Sequence, residues 1–168
     1  MIEPSFYLAN AKELAPKLLG KILCRRLPDG EVLRYRITET ECYYGEKDTA
    51  NHAHKGRTKR TEVLYHEGGV AYVYLCYGVH QMFNVVTGKE GHPEAVLIRG
   101  VEGFDGPGKL TKAMQIGKEQ NAAALNVENE VWLEEDGTKV KIGRYKRIGI
   151  GYASQKDQER KWRFLAEQ

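Results

Sequence analysis

The sequence predicts an α+β fold in one domain over residues 1–168, a curved and mainly antiparallel β-sheet with peripheral helices. Three observations lead there. Short runs rich in β-branched and aromatic residues recur along the chain, separated by Gly, Pro and Asp turn sequences. Helical patterns are brief and lie at the margins of those runs. No repeat of fixed period, low-complexity tract or flexible linker interrupts a length that can bury one core.

Taken in order, Asn10 caps a helix over residues 11–19 that Gly20 closes, with Pro16 kinking it or delaying its start. Residues 21–27 and 32–43 flank the turn sequence Pro28-Asp-Gly30 and read as a hairpin. Residues 45–62 are polar, rich in His, Lys and Arg, and without a clear period, which describes a long surface loop of the kind that carries function. Residues 70–77 and 82–87 form a second strand pair around Gly78, and 94–101 a buried strand. A helix follows over 110–116, stopped by Gly117, with a short second helical piece at 122–125. Residues 131–133, 138–142 and 147–150 supply the last strands.

Charge is nearly balanced: 26 basic against 23 acidic residues give a formal +3, too little to name a nucleic-acid partner. Basic side chains concentrate in Lys55-Gly-Arg57-Thr-Lys59-Arg60, in 141–147 and in Arg160-Lys-Trp-Arg163, patterns that also describe solvated faces. Cys24, Cys42 and Cys76 are odd in number and widely spaced, so no disulfide framework or CxxC ribbon is expected and a reducing compartment fits. The first residues, MIEPSFYLANAKELAPK, lack the basic start and apolar run of a signal peptide, and no 18-residue apolar stretch follows. Export and membrane insertion are not expected.

Several motifs compete for a functional reading. Gly103-Phe-Asp-Gly-Pro-Gly108-Lys109-Leu110 reproduces the glycine and lysine spacing of a phosphate-binding P-loop. It fails at Leu110, where a hydroxyl is required to hold magnesium, and Pro107 removes an N–H from the cradle. What remains is a helix N-terminus with Lys109, suited to one phosphate of a nucleic-acid backbone. Glu41, Cys42, His52 and His54 are zinc-binding residue types, but their spacing matches no familiar site, so the histidines read as ordinary loop residues. Gly149-Ile-Gly151 lacks the third glycine and following helix of a dinucleotide site.

The aromatic pattern is more specific. Tyr72 and Tyr74 share one strand face, Tyr77 follows, and Tyr43 and Tyr44 lie beside Glu41. Most of the ten tyrosines read as core or sheet-surface residues. Flat rings beside one carboxylate and a basic loop are also what base-extruding enzymes use.

The blocks Thr38-Glu-Thr-Glu41-Cys-Tyr43-Tyr-Gly45, His52, Ala71-Tyr-Val-Tyr74-Leu-Cys-Tyr77-Gly78, Asn84-Val-Val, Val96-Leu-Ile-Arg99, Gly106-Pro-Gly-Lys109-Leu and Arg147-Ile-Gly-Ile-Gly151 cover nearly the whole chain. In order and spacing they resemble the alkyladenine (3-methyladenine, methylpurine) DNA glycosylase family. Two departures stand out: only six residues separate Arg99 from Gly106, where the family carries a longer helical segment, and Thr61 replaces an Asn after Arg60.

The resemblance implies that Glu41 is the general base that deprotonates water at C1′ of an extruded nucleotide, with Arg99 and the Ile148 carbonyl positioning that water. It implies a base-binding pocket of Tyr43, His52, Tyr74 and Asn84, the last crowding the guanine amino group, with Ile148 beside them. Tyr77 would enter the minor groove as a wedge, and Arg57, Lys59, Arg60 and Lys109 would contact DNA phosphates. The implied activity is monofunctional DNA repair: hydrolytic excision of 3-methyladenine, 7-methylguanine, hypoxanthine and ethenoadenine from double-stranded DNA, leaving an abasic site. No metal or organic cofactor is implied, and the expected state is a monomer, nucleoid-associated in bacterial cytoplasm or nuclear in a eukaryote. Two alternatives stay open: a damage- or nucleic-acid-binding module without catalysis, and a metal-dependent hydrolase.

Overall fold

The computed structural model describes residues 1–167. Its elements run α1 (Ala11–Leu18), β1 (Ile22–Arg26), β2 (Val32–Tyr44), β3 (Ala71–Cys76), β4 (His80–Val86), β5 (Glu94–Val101), β6 (Phe104–Asp105), α2 (Pro107–Met114), β7 (Val131–Glu134), β8 (Lys141–Tyr145), α3 (Gln155–Glu159) and β9 (Arg163–Glu167). The strands pair antiparallel in the order β3-β4-β5-β2-β1-β7, with β6 on β5 and the β8–β9 ribbon joined to β2.

β2 organises this sheet because it serves two groups of partners. Its first part pairs with β1 through Val32 to Arg36, and its second with β5 and β9. Register shifts between Ile37 and Glu39 and between Glu39 and Thr40 mark the change of partners. Extra residues on one strand bend it and increase its twist, and this is where the sheet curls. Residues 39–42 are all buried, so this stretch is covered on both faces.

The main core lies on the helical side of the curl. α1 contributes Leu14, Ala15 and Leu18, α2 contributes Leu110 and Met114, and the sheet contributes Leu23, Ile37, Phe83, Val85, Val96, Ile98 and Phe164. The Asn10 side chain accepts from the Glu13 N–H at 3.0 Å, as its cap role requires. Pro16 neither delays nor breaks α1; it lies in the last turns, where one lost hydrogen bond is tolerated. Glu94, buried on β5, accepts from the Ala11 N–H at 2.6 Å and the Thr87 hydroxyl at 3.0 Å, fixing the helix start to the sheet.

Other expectations need correction. α2 begins at Pro107, the first helical position, where a missing N–H costs nothing, and Gln115 in the left-handed region ends it before Gly117. Residues 122–125 are not helical: Ala122 has φ +68, and this segment exchanges backbone hydrogen bonds with Ala71 on the β3 edge. The strand expected at 138–142 lies at Lys141–Tyr145. Residues 147–150 form a bend instead of a strand, because Arg147 is pulled into the interior. α3 and β9 lay outside the expected elements, as did single 3-10 turns at Pro4–Leu8, His52–Lys55 and Glu62–Tyr65.

Candidate active site

Beyond its bulge, β2 alternates cleanly. Thr40 and Cys42 face the helices, the Thr40 hydroxyl donating to the Ala15 carbonyl at 2.8 Å and Cys42 joining the core. Glu39, Glu41 and Tyr43 therefore share the opposite face. Glu41 is fully buried, at 0% exposure. Its Oε1 accepts from the Tyr43 hydroxyl at 2.8 Å and its Oε2 from the Ile148 backbone N–H at 2.7 Å. Arg99, from β5, brings Nη1 to 3.5 Å from Glu41 Oε1 and Nε to 3.5 Å from Glu39 Oε2. Arg99 Nε, the atom that faces Glu39, makes no hydrogen bond.

Burial pushes the Glu41 carboxyl above the ordinary carboxylate range, opposed by Arg99, the Ile148 N–H, the Tyr43 hydroxyl and Arg147. These groups hold the carboxylate in place without making it inert as a base, because desolvation keeps its proton affinity high.

Tyr43, Arg99 and Ile148, the three residues that hold Glu41, also line a cleft of about 680 Å³ that His52, Tyr74 and Tyr152 share. That volume suits a group of nucleotide size. His52, Tyr72 and Asn84 line a second recess of about 30 Å³, room for one or two waters, which shares Tyr43, His52, Tyr74 and Tyr152 with the cleft.

One wall of the cleft is an aromatic cluster. The His52 ring lies 4.4 Å from the Tyr74 ring at 65°, and Tyr72 and Tyr74 are 5.4 Å apart. His52 Nδ1 sits 3.1 Å from the Tyr72 hydroxyl. Burial, then the charge of Arg60, lower the His52 pKa to about 4, so the imidazole is neutral at physiological pH. Asn84 is buried below, its amide donating to the Tyr72 carbonyl at 3.1 Å.

Tyr77 stands apart at the tip of the β3–β4 hairpin, 89% exposed. Tyr77 and Gly78 take φ +52 and +67 in a turn closed by the Val79 N–H on the Cys76 carbonyl at 3.1 Å. Two consecutive positive φ values match the twist of a tight hairpin, but for tyrosine the conformation is strained. Leu75 and Val79 are also exposed, so the tip presents an apolar wedge.

The four cations expected at phosphates are not gathered together. Arg60 and Lys109 line the cleft, Arg60 with its guanidinium 5.6 Å from the Tyr74 ring centroid. Arg57 is folded back, donating to both Glu62 carboxylate oxygens at 2.7 and 2.8 Å over the Tyr65 ring, and Lys59 is exposed outside the cleft. Among the described residues, no group of three or more His, Cys, Asp or Glu side chains could hold a metal ion, and His54 is bound to the Glu46 carbonyl. Sequence reasoning missed Tyr152, whose hydroxyl donates to the Ala50 carbonyl at 2.7 Å while its ring lines the cleft. Its one signal was its place just after Gly149-Ile-Gly151. Arg147, also missed in this role, is a fully buried cation paired with Asp48 at 2.7 Å.

A buried carboxylate behind an aromatic, cation-rimmed cleft fits an enzyme that hydrolyses a glycosyl bond, and comparison with known proteins sets the class as DNA N-glycosylase. Residues 5–168 match the family described as methylpurine-DNA glycosylase. A relative from Psychrobacter cryohalolentis is 42% identical, over 91% of this chain and 86% of its own. Relatives from Borreliella afzelii, at 41% over 96% and 94% of the two chains, and Methanocella arvoryzae, at 42% over 95% and 88%, are similar. All three bear the name "Putative 3-methyladenine DNA glycosylase". The chain belongs to the methylpurine-DNA glycosylase family.

The half-buried, neutral His52 has a consequence for stability. Its folded pKa of about 4 lies below the ordinary 6.5, so the unfolded chain binds the extra proton in that window. The contribution of neutral His52 is complete above pH 6.5 and is lost as pH falls toward 4. Urea midpoints of His52→Gln will therefore decline less steeply than those of the parent between these pH values. Identical slopes would mean that His52 is solvated.

Proposed function

We propose that this enzyme excises alkylated and deaminated purines from double-stranded DNA by flipping the nucleotide into the cleft and hydrolysing its N-glycosyl bond. The observation that carries the reading is Glu41, buried behind the cleft and held by Tyr43, Ile148 and Arg99. Glu41 takes a proton from a water whose oxygen attacks C1′; the C1′–N bond breaks and its electrons leave with the base. A purine methylated at N3 or N7 already carries positive charge, so it departs as a neutral base with little acid assistance, whereas hypoxanthine and ethenoadenine are uncharged in the nucleotide and must gain a proton as they leave. A carboxylate beneath C1′ also stabilises the positive charge that grows there.

The remaining roles follow the same chemistry. Tyr43, His52 and Tyr74 sandwich the base, and a neutral His52 imposes no charge repulsion on a cationic purine. Arg99, whose Nη1 lies 3.5 Å from Glu41 Oε1, orients the water. For Ile148, the contact present is its N–H on Glu41; its carbonyl serves the water. Asn84 narrows the pocket against the guanine amino group, favouring 3-methyladenine, hypoxanthine and ethenoadenine; 7-methylguanine keeps that group and is excised on the strength of its weakened, cationic glycosyl bond. Tyr77 fills the gap left in the duplex, and Arg60 and Lys109 grip phosphates nearest the cleft, with Arg57 and Lys59 farther along the backbone. The enzyme acts as a monomer, without metal or organic cofactor, wherever the cell keeps its DNA.

The test is release of free base from duplex oligonucleotides bearing a single hypoxanthine or 3-methyladenine-type lesion, in EDTA. Release with an intact abasic product supports the reading. Binding without release would make the protein a damage-binding module, and release that EDTA abolishes would make it a metal-dependent hydrolase. The strained wedge gives a second test: Tyr77→Gly relieves the positive φ and will raise the melting temperature while lowering base release. A variant that is more stable and equally active would remove the wedge role.

A further inference from the structure

Arg147 is the best-enclosed cation in the site, yet it does not line the large cleft. Its side chain is 0% exposed, and Nη1 and Nη2 donate to the two Asp48 carboxylate oxygens at 2.7 and 3.0 Å. Nη1 also donates to the Cys42 carbonyl on β2 at 2.9 Å, and Nη2 to the Asp157 carbonyl of α3 at 3.3 Å. The guanidinium lies between two rings, with its centre 5.0 Å from the Tyr43 centroid and 5.0 Å from that of Trp162. Such a pair requires desolvation of both ions, so a purely apolar replacement would serve stability as well or better.

What distinguishes this location is its relation to Glu41. Tyr43, against whose ring Arg147 packs, donates to Glu41 Oε1. Ile148, the next residue in the chain, donates its backbone N–H to Glu41 Oε2. The segment at 146–150 has no strand or helix to fix it, so its position relative to β2 depends on side-chain anchors. We infer that Arg147, locked to Asp48, is a positioning residue that sets both hydrogen bonds to the Glu41 carboxylate and thereby its competence as a base. This inference rests on the role proposed for Glu41. Both bonds favour the ionised form, so loosening them raises the Glu41 pKa. The other groups facing Glu41 are Arg99 from β5, Tyr74 from β3 and Tyr152 from the loop before α3, none of which Arg147 bonds.

The experiment reads Glu41 with and without turnover. Arg147→Lys keeps the charge but loses the fork, and Asp48→Asn keeps the shape but loses the charge, so one of the pair remains informative if the other does not fold. The carboxyl titration of Glu41 is followed by carbon NMR on the free protein, assigned with Glu41→Gln, beside single-turnover base release across pH. The inference predicts a titration moved to higher pH in the folded variants. With it, base release at the acid side falls by about 100-fold, the scale of a misplaced reacting group, while lesion-DNA affinity changes little. An unmoved titration in either folded variant overturns it, since a merely structural Arg147 lowers the folded fraction alone. If the parent releases no base, the proposed function fails, yet the titration still decides whether Arg147 governs Glu41.

Discussion

A carboxylate with no exposure to water is the constraint around which the rest of the molecule is arranged. Burying an ionised carboxylate costs several kcal/mol even after relaxation, and the cost is tolerable only if fixed donors replace the lost water. Glu41 obtains them from three separate parts of the chain: Tyr43 two residues along β2, Arg99 on β5, and the backbone of Ile148. The β2 bulge turns the strand from β1 toward β5 and β9 just before Glu41. Arg163, paired with Glu39 at 3.1 Å, and Arg99 extend the charge compensation along the same face. The site is thus a property of the curled sheet as a whole.

The aromatic wall adds a second property. Tyr72, Tyr74 and His52 pack edge-on or tilted, and burial keeps the imidazole uncharged. In the proposed function, an uncharged wall of π-faces would accept an electron-poor base without regard to its hydrogen-bonding edge, which would place the burden of selectivity on pocket shape and on Asn84. Positive charge is kept to the rim, at Arg60 and Lys109, where phosphates rather than the base would meet it.

Where chemistry followed a local period, the sequence was legible. Glu41 and Tyr43, two residues apart on a strand, had to share a face, and Asn10 before an apolar helical pattern had to cap it. The hairpins around Pro28-Asp-Gly30 and Gly78 were readable from turn chemistry. What escaped was decided over long separations. Arg147 lay in a basic run that reads as a solvated face, and its partner Asp48 is 99 residues away. Residues 122–125 looked helical in isolation but find better backbone partners on the β3 edge. Tyr152 reaches the cleft from a loop without periodicity, so no pattern announced it.

The measurement that bears most directly on the central claim compares the parent with Glu41→Gln in two assays on the same lesion-containing duplex: affinity and base release under single-turnover conditions. Glutamine keeps the shape and can still meet the Ile148 N–H and the Tyr43 hydroxyl, so the fold and the cleft persist. If Glu41 is the base, the variant binds the duplex at least as well as the parent and releases base more than about 100-fold more slowly. Release at the parental rate by a folded Glu41→Gln protein would contradict the account, because the buried carboxylate would then be a structural feature and the catalytic base would lie elsewhere.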